Sequence, residues 1–186
     1  MYEDGHAERL RFLETGNVKM FALSCTVILQ VSLLLVLVKA YTRIPLHIPG
    51  HSALYVLPIM MLGKLGARWK YAGTGIGFTS GLFAVGFGIM GGPLLAFPRL
   101  LLMGVMADVL LSGAGTGAAF LLCGALANVA KVLAGWVIAS AVGIPAFFIQ
   151  AGMTFSVTTH VLFGALGGLV AFALYKSLLK AGKVLR

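Results

Sequence analysis

Acidic residues are the scarcest chemical group in this sequence. Five Asp and Glu stand among 186 residues, and charged residues of both signs make up only 10%. A soluble domain carries about 25% charged residues, so a water-facing surface cannot be assembled from this composition. Cysteine is nearly missing as well. Cys25 and Cys123 both lie in apolar runs, at no metal-ligand spacing, and read as small hydrophobes. No HExxH, no GxSxG and no paired carboxylates occur, so catalysis has no support and the chain is not expected to be an enzyme. No GxxxxGK[ST] phosphate-binding loop is present either, so the chain cannot use ATP alone.

What is abundant is apolar side chain, 60% of the residues. A small soluble chain cannot hide that much apolar surface, because too much of it stays at the boundary. The expected fold is therefore an all-α integral membrane protein with six transmembrane helices. The apolar runs cover about 18–40, 53–66, 71–90, 94–112, 116–141 and 151–175. The breaks between them are chemically plain. Residues 41–52 carry two prolines and a glycine, Gly91-Gly92-Pro93 and Ser112 to Gly115 follow, and Gly143-Ile144-Pro145 ends the fifth run. Six spans take roughly 120 residues and leave roughly 66 for loops and tails, so no soluble ATP-binding domain fits within these residues. The division is a polar tail over 1–16, a membrane domain over 17–176 and a basic tail over 177–186. The first run lacks both a basic leader and a small-residue cleavage site, and reads as a retained span.

Lys and Arg number 14, for a formal charge of +9. In a soluble protein this excess would point to nucleic acid. Here the basic residues sit at the ends of apolar runs, where they set topology. Arg9, Arg11, Lys19, Lys64, Arg68, Lys70, Lys176, Lys180, Lys183 and Arg186 fall on one side, against Lys39 and Arg43 on the other. Both termini are therefore expected in the cytoplasm of a bacterial cell, with a multi-pass chain in its inner membrane and no nucleic-acid partner. The second run is short enough to be re-entrant.

Ionisable groups inside apolar spans mark cavities, partners or pathways. Arg99, Asp108, Lys131 and His160 are the four. At 1.5 Å per residue, Arg99 lies about 8 Å from the outer end, His160 about 14 Å, and Asp108 about 21 Å. Lys131 falls in the outer half, with Asn128 one turn deeper. The outer half thus gathers Arg99, Lys131, Asn128 and His160 beneath a loop carrying Arg43, His47, His51 and Ser52. That is a positive cavity suited to an anionic or carboxylate ligand. Each residue also has a plainer reading. Arg99 snorkels to the interface, Lys131 pairs with Asp108 or bonds a helix-end carbonyl, His160 simply packs, and Asn128 makes an interhelical hydrogen bond. His47 and His51 are four apart, but the segment is broken by proline and no Cys or carboxylate stands near. They read as a lid over the ligand or as part of a plain structured loop, rather than as metal ligands.

Glycine is periodic. Gly73, Gly77 and Gly81 share one face of the third span, and Gly164 and Gly168 share one face of the sixth. Small residues at this spacing let helices approach closely, either within the chain or against a docking partner.

Six short spans, cytoplasmic ends and the outer segment RIPLHIPGHS over 43–52 resemble the membrane-embedded substrate-binding (S) components of energy-coupling-factor transporters. The resemblance covers about residues 17–176. It implies a six-helix bundle whose outward cavity takes a vitamin or a metal ion under the loop between spans one and two. It implies as partners a transmembrane coupling subunit and two cytoplasmic ATPases, with toppling in the bilayer to release the ligand inward. Many members dock through AxxxA on the first helix, and the matching positions here are Ala22 and Thr26, with threonine in place of the second alanine. Metal-binding members begin Met-His, whereas this chain begins Met-Tyr-Glu-Asp-Gly-His, so the expected ligand is a vitamin-like or other small anionic micronutrient, with no cofactor. Two other readings stand beside this one. One is a structural or assembly subunit of a larger membrane complex, motivated by the glycine faces. The other is a small lipid-modifying enzyme using His160 and Asp108, whose depths differ by a few ångström.

Overall fold

The computed structural model describes residues 4–42, 48–88, 93–112, 115–141, 143 and 153–182. Among these residues the chain is all-helical, with no strand. Its helices are α1 (Asp4–Tyr41), α2 (Ala53–Gly66), α3 (Ala72–Gly86), α4 (Pro93–Leu110), α5 (Gly117–Ala141) and α6 (Met153–Lys180). Each begins and ends within a few residues of an apolar run, except that α1 and α6 continue into the polar segments. The segment expected as an N-terminal tail prolongs α1 back to Asp4.

Three stretches, Val18–Tyr41, Gly117–Ile138 and Met153–Lys180, are long and apolar enough to cross a bilayer, while Ala53–Gly66 is apolar but shorter. Large apolar side chains stand exposed along them. Leu29, Leu33 and Leu37 do so on α1, Leu122, Leu126 and Leu133 on α5, and Leu162, Leu166 and Leu169 on α6. Water would not tolerate such a surface on a folded monomer, whereas hydrocarbon accepts it.

The short helix α2 is the hub. It packs against all five others, while α3 lies chiefly on α4 and α5 chiefly on α6. Its Ala53, Val56, Leu57, Met60 and Met61 are buried. A helix shielded on every side by protein has no lipid to span, which accounts for its brevity.

The glycine faces are consumed inside the chain. A methyl group on Gly73 would meet the Gly104 carbonyl at 2.6 Å, and one on Gly77 the Leu100 carbonyl at 2.4 Å. A methyl on Gly81 would meet the Phe97 ring at 2.7 Å and its Cα at 3.0 Å. On α6, a methyl on Gly164 would strike the Gly124 carbonyl at 2.4 Å, and one on Gly168 the Phe120 carbonyl at 2.1 Å. Gly73, Gly77, Gly81, Gly164 and Gly168 therefore seat α3 on α4 and α6 on α5, and are not a docking face for a second protein. The gain is close backbone contact, the main source of helix cohesion in a solvent as apolar as the side chains.

Asp108 joins three helices. Its carboxylate lies 2.8 Å from Lys64 Nζ on α2, and both side chains are buried. It also accepts hydrogen bonds from the Gly73 N–H at 2.9 Å, the Thr74 N–H at 2.6 Å and the Thr74 hydroxyl at 2.6 Å. An acid from the last turn of α4 thus caps the first turn of α3, where unpaired N–H groups and the helix dipole favour an anion. Lys64 donates in addition to the Lys70 carbonyl at 2.7 Å. The pairing of Asp108 with Lys131, entertained above, does not occur. Lys64, read from the sequence as a topology marker, is the partner.

Removing one member of a buried pair strands the other charge, at a cost of about 3–5 kcal/mol. Asp108→Ala is therefore expected to lower the unfolding midpoint sharply in detergent. The double variant Asp108→Ala with Lys64→Met should recover part of the loss, because no charge is then stranded. Thermal unfolding of the three proteins checks this, and an unchanged midpoint in Asp108→Ala would remove the clamp.

Candidate functional site

At the other end of the bundle from Asp108, three of the predicted residues line one cavity. Arg99 comes from α4, Lys131 from α5 and His160 from α6. Val132, Gly135, Trp136 and Ser156 complete a wall around a volume of about 340 Å³, at the lower end of the range for small-molecule sites. Arg99 and Asp108 share α4 but stand nine residues apart, about 13 Å along its axis.

Local spacing explains the composition of the wall. Lys131 and Gly135 lie four apart on α5, and Ser156 and His160 four apart on α6, so each pair shares a helix face. Gly135 makes room for the arginine, since a methyl group there would sit 2.7 Å from Arg99 Nη2. His160 Nδ1 lies 2.7 Å from the Ser156 carbonyl oxygen. A carbonyl only accepts, so Nδ1 donates, and Nε2 of the neutral ring keeps a lone pair. Asn128 is fully buried and donates to the His160 carbonyl at 2.8 Å. It ties α5 to α6 just below the cavity, and its Oδ1 has no hydrogen-bond partner among the described residues.

Four basic side chains act on one another here. Lys131 is within electrostatic reach of Lys39 and Arg99, and His160 of Lys131 and Arg99. Lys39, from the last turn of α1, also reaches Arg99. The sequence marked Lys39 only as the end of a span. The five acids lie at Glu3, Asp4, Glu8, Glu14 and Asp108, so no loop supplies a counter-charge. Glu14 is about 37 Å from Lys39 along a helix of standard rise, and Asp108 is bound to Lys64.

The loop before α2 reaches the site. Gly50 has φ +89°, and a methyl on it would lie 3.1 Å from both Cα and Cγ of His160. His51 Nδ1 is 2.8 Å from the Ile48 carbonyl, a contact within the loop. Ser52 precedes α2 without a side-chain capping bond. Neither His51 nor Ser52 lines the cavity. Arg43 and His47 lie outside the described residues. Of the predicted group, Arg99, Lys131 and His160 meet, Asn128 supports them, and His51 and Ser52 flank Gly50. Lys39, Gly135, Trp136 and Ser156 were missed. Counting four residues from Lys131 and from His160 would have found Gly135 and Ser156.

The predicted docking pair differs from the glycine faces. Ala22 and Thr26 are exposed on α1, and Thr26 Oγ1 donates to the Ala22 carbonyl at 3.0 Å.

Comparison with protein families, curated proteins and solved structures found no match to this chain.

Gly50 gives the contact between loop and site a direct measure. Gly50→Ala should cost roughly 1–3 kcal/mol from its left-handed backbone, plus the crowding against His160. Gly88 also has positive φ but nothing within 4 Å of an added methyl, so Gly88→Ala carries the backbone term alone. Unfolding midpoints are expected to fall further for Gly50→Ala, and equal losses would show that the loop does not press on His160.

Proposed function

We propose that this chain is the membrane-embedded substrate-binding component of a multi-subunit uptake transporter of energy-coupling-factor type, taking a small anionic solute. One observation carries the reading: cationic side chains converge on a cavity with no acid of the chain to balance them. Unpaired charge in an apolar bundle is costly, and a bound anion offsets that cost. The contact of Gly50 with His160 supports a lid role for the segment between α1 and α2. Absence of a phosphate-binding loop from the sequence means that energy for uphill transport comes from partner proteins. Those partners are a transmembrane coupling subunit and two cytoplasmic ATPases. The exposed Ala22 and Thr26 on α1 are available to the coupling subunit. On this reading both termini are cytoplasmic, the cavity opens outward, and the membrane is the bacterial inner membrane.

The other readings have lost their motives. The glycine faces behind an assembly subunit are occupied within the chain. A lipid-modifying pair of His160 and Asp108 does not assemble, since each belongs to a separate cluster.

Two measurements test the proposal. Affinity purification from native membranes is expected to recover ATPase and coupling subunits. A thermal-shift screen of anionic vitamins and metabolites is expected to find one that raises the unfolding midpoint, as any ligand selective for the folded state does. Arg99→Ala and Lys131→Ala should each weaken that ligand by about 1–3 kcal/mol, the scale of a lost charge-assisted hydrogen bond. Neither partner nor ligand appearing would overturn the proposal, and unchanged affinity in both variants would reduce the two cations to anchors.

A further inference from the structure

We infer that the occupant of the cavity is a hydroxy acid, an anion that also carries a hydroxyl, and that Nε2 of His160 is the acceptor that selects the hydroxyl. The inference rests on the anion-binding reading above and narrows it to a ligand class.

The orientation of the imidazole ring comes first. His160 lines the cavity and is 7% exposed. One edge of its ring is already covered. Nδ1 donates to the Ser156 carbonyl at 2.7 Å, and a methyl on Gly50 would lie 3.1 Å from Cγ and 3.2 Å from Nδ1. The opposite edge, which bears Nε2, is the one left to meet the cavity, and among the described residues no hydrogen bond satisfies it. With the ring proton held at Nδ1, Nε2 of the neutral ring can only accept. An acceptor left unpaired among apolar helices is costly, so the ligand that fits best brings a proton donor to it.

The rest of the wall makes the opposite demand. A guanidinium and an indole N–H only donate, so Arg99 and Trp136 call for acceptors on the ligand. Lys131 donates to the same kind of group, and the Ser156 hydroxyl takes either role. His160 Nε2 is thus the one lining side-chain group that only accepts. Asn128 Oδ1 also lacks a partner among the described residues, but Asn128 is not on the wall. An ammonium on the ligand would supply a donor and also bring positive charge beside Arg99, which like-charge repulsion disfavours. A hydroxyl supplies the donor without charge. The carboxylate then goes to Arg99, whose planar fork suits two oxygens at once. Trp136 and Val132 provide an apolar wall for a carbon body, and about 340 Å³ admits a compact one.

The test compares acids of equal charge and equal skeleton. The full chain in nanodiscs of zwitterionic lipid is held at about pH 8, above the ordinary imidazole range. It is titrated with propionate, lactate and pyruvate, then with butyrate, 3-hydroxybutyrate and acetoacetate, then with phenylacetate, mandelate and phenylglyoxylate. The hydroxy acid of at least one set is expected to bind about tenfold or more tightly than both its deoxy and its keto partner, because only the hydroxyl donates. His160→Asn puts an amide N–H near the place of Nδ1 and nothing at Nε2, and is expected to erase the preference. His160→Gln puts an amide oxygen near the place of Nε2 and is expected to keep part of it, which separates loss of the acceptor from loss of the fold. Equal affinity within every set overturns the hydroxyl and leaves the anion site standing. Tighter binding of the keto acids means that Nε2 donates, and overturns the acceptor. A preference that survives His160→Asn in folded protein overturns the role of His160. No binding of any probe at millimolar concentration overturns both the hydroxy acid and the anion-binding reading beneath it.

Discussion

A carboxylate drawn into a bundle of apolar helices costs several kcal/mol unless charge and hydrogen bonds replace its water. Asp108 is the single acid beyond residue 14, and its replacement shell is complete: Lys64 on one side, two backbone N–H groups and a hydroxyl on the other. The arrangement solves two problems at once. The first turn of α3 gains the acceptor its free N–H groups need, and the buried ammonium of Lys64 gains a counter-ion. Helices α2, α3 and α4 are held together at one end as a result. The close glycine contacts of α3 on α4 run upward from that point, since Gly73 touches both Gly104 and Asp108.

The same bond governs the opposite end by subtraction. With the only acid beyond residue 14 spent on Lys64, Arg99 and Lys131 at the cavity are left with no acid from the spans around them. Their helices are nonetheless held near one another by uncharged means: Asn128 to the His160 carbonyl, Gly164 and Gly168 against α5, and Gly50 against His160. Packing that needs no charge neutralisation leaves the charges to act on whatever enters. On the proposed function, a preorganised cluster of this kind would bind an anion with little further ordering, which is where affinity is otherwise lost.

The helical layout was legible because apolar run length and Pro/Gly breaks act locally. The six runs and the six helices agree closely, and depth along each span followed from a fixed rise per residue. That arithmetic was enough to bring Arg99, Lys131 and His160 to one level. It was not enough to choose partners. Depth fixes position along an axis, while contact depends also on rotation about it, and rotation is settled by packing between segments far apart in sequence. Lys64 and Asp108 are 44 residues apart, and Asp108 and Gly73 are 35 apart. For the same reason Lys39 and Lys64 were both read as span ends, although one joins the cationic cluster and the other is buried in a pair. The glycine repeats were seen, but their target was not, because spacing by four says that a helix has a narrow face and not which helix lies on it.

The two ends of the bundle are thus solved in unequal ways. At one, an internal carboxylate stitches three helices and the charge is balanced. At the other, α4 and α5 present Arg99 and Lys131 to a cavity that His160 of α6 also lines, with no carboxylate to join them. A ligand anion in the proposed site would stand in the place that Asp108 fills at the far end, touching α4, α5 and α6 together. Binding would then act as packing. Its free energy would be returned as cohesion between helices, in proportion to how far ligand concentration exceeds its dissociation constant. The loop bearing Gly50 packs on His160, so the same cohesion would extend to that loop. If the proposed transport function holds, a difference in cohesion between loaded and empty states would let a coupling partner recognise when there is something to move.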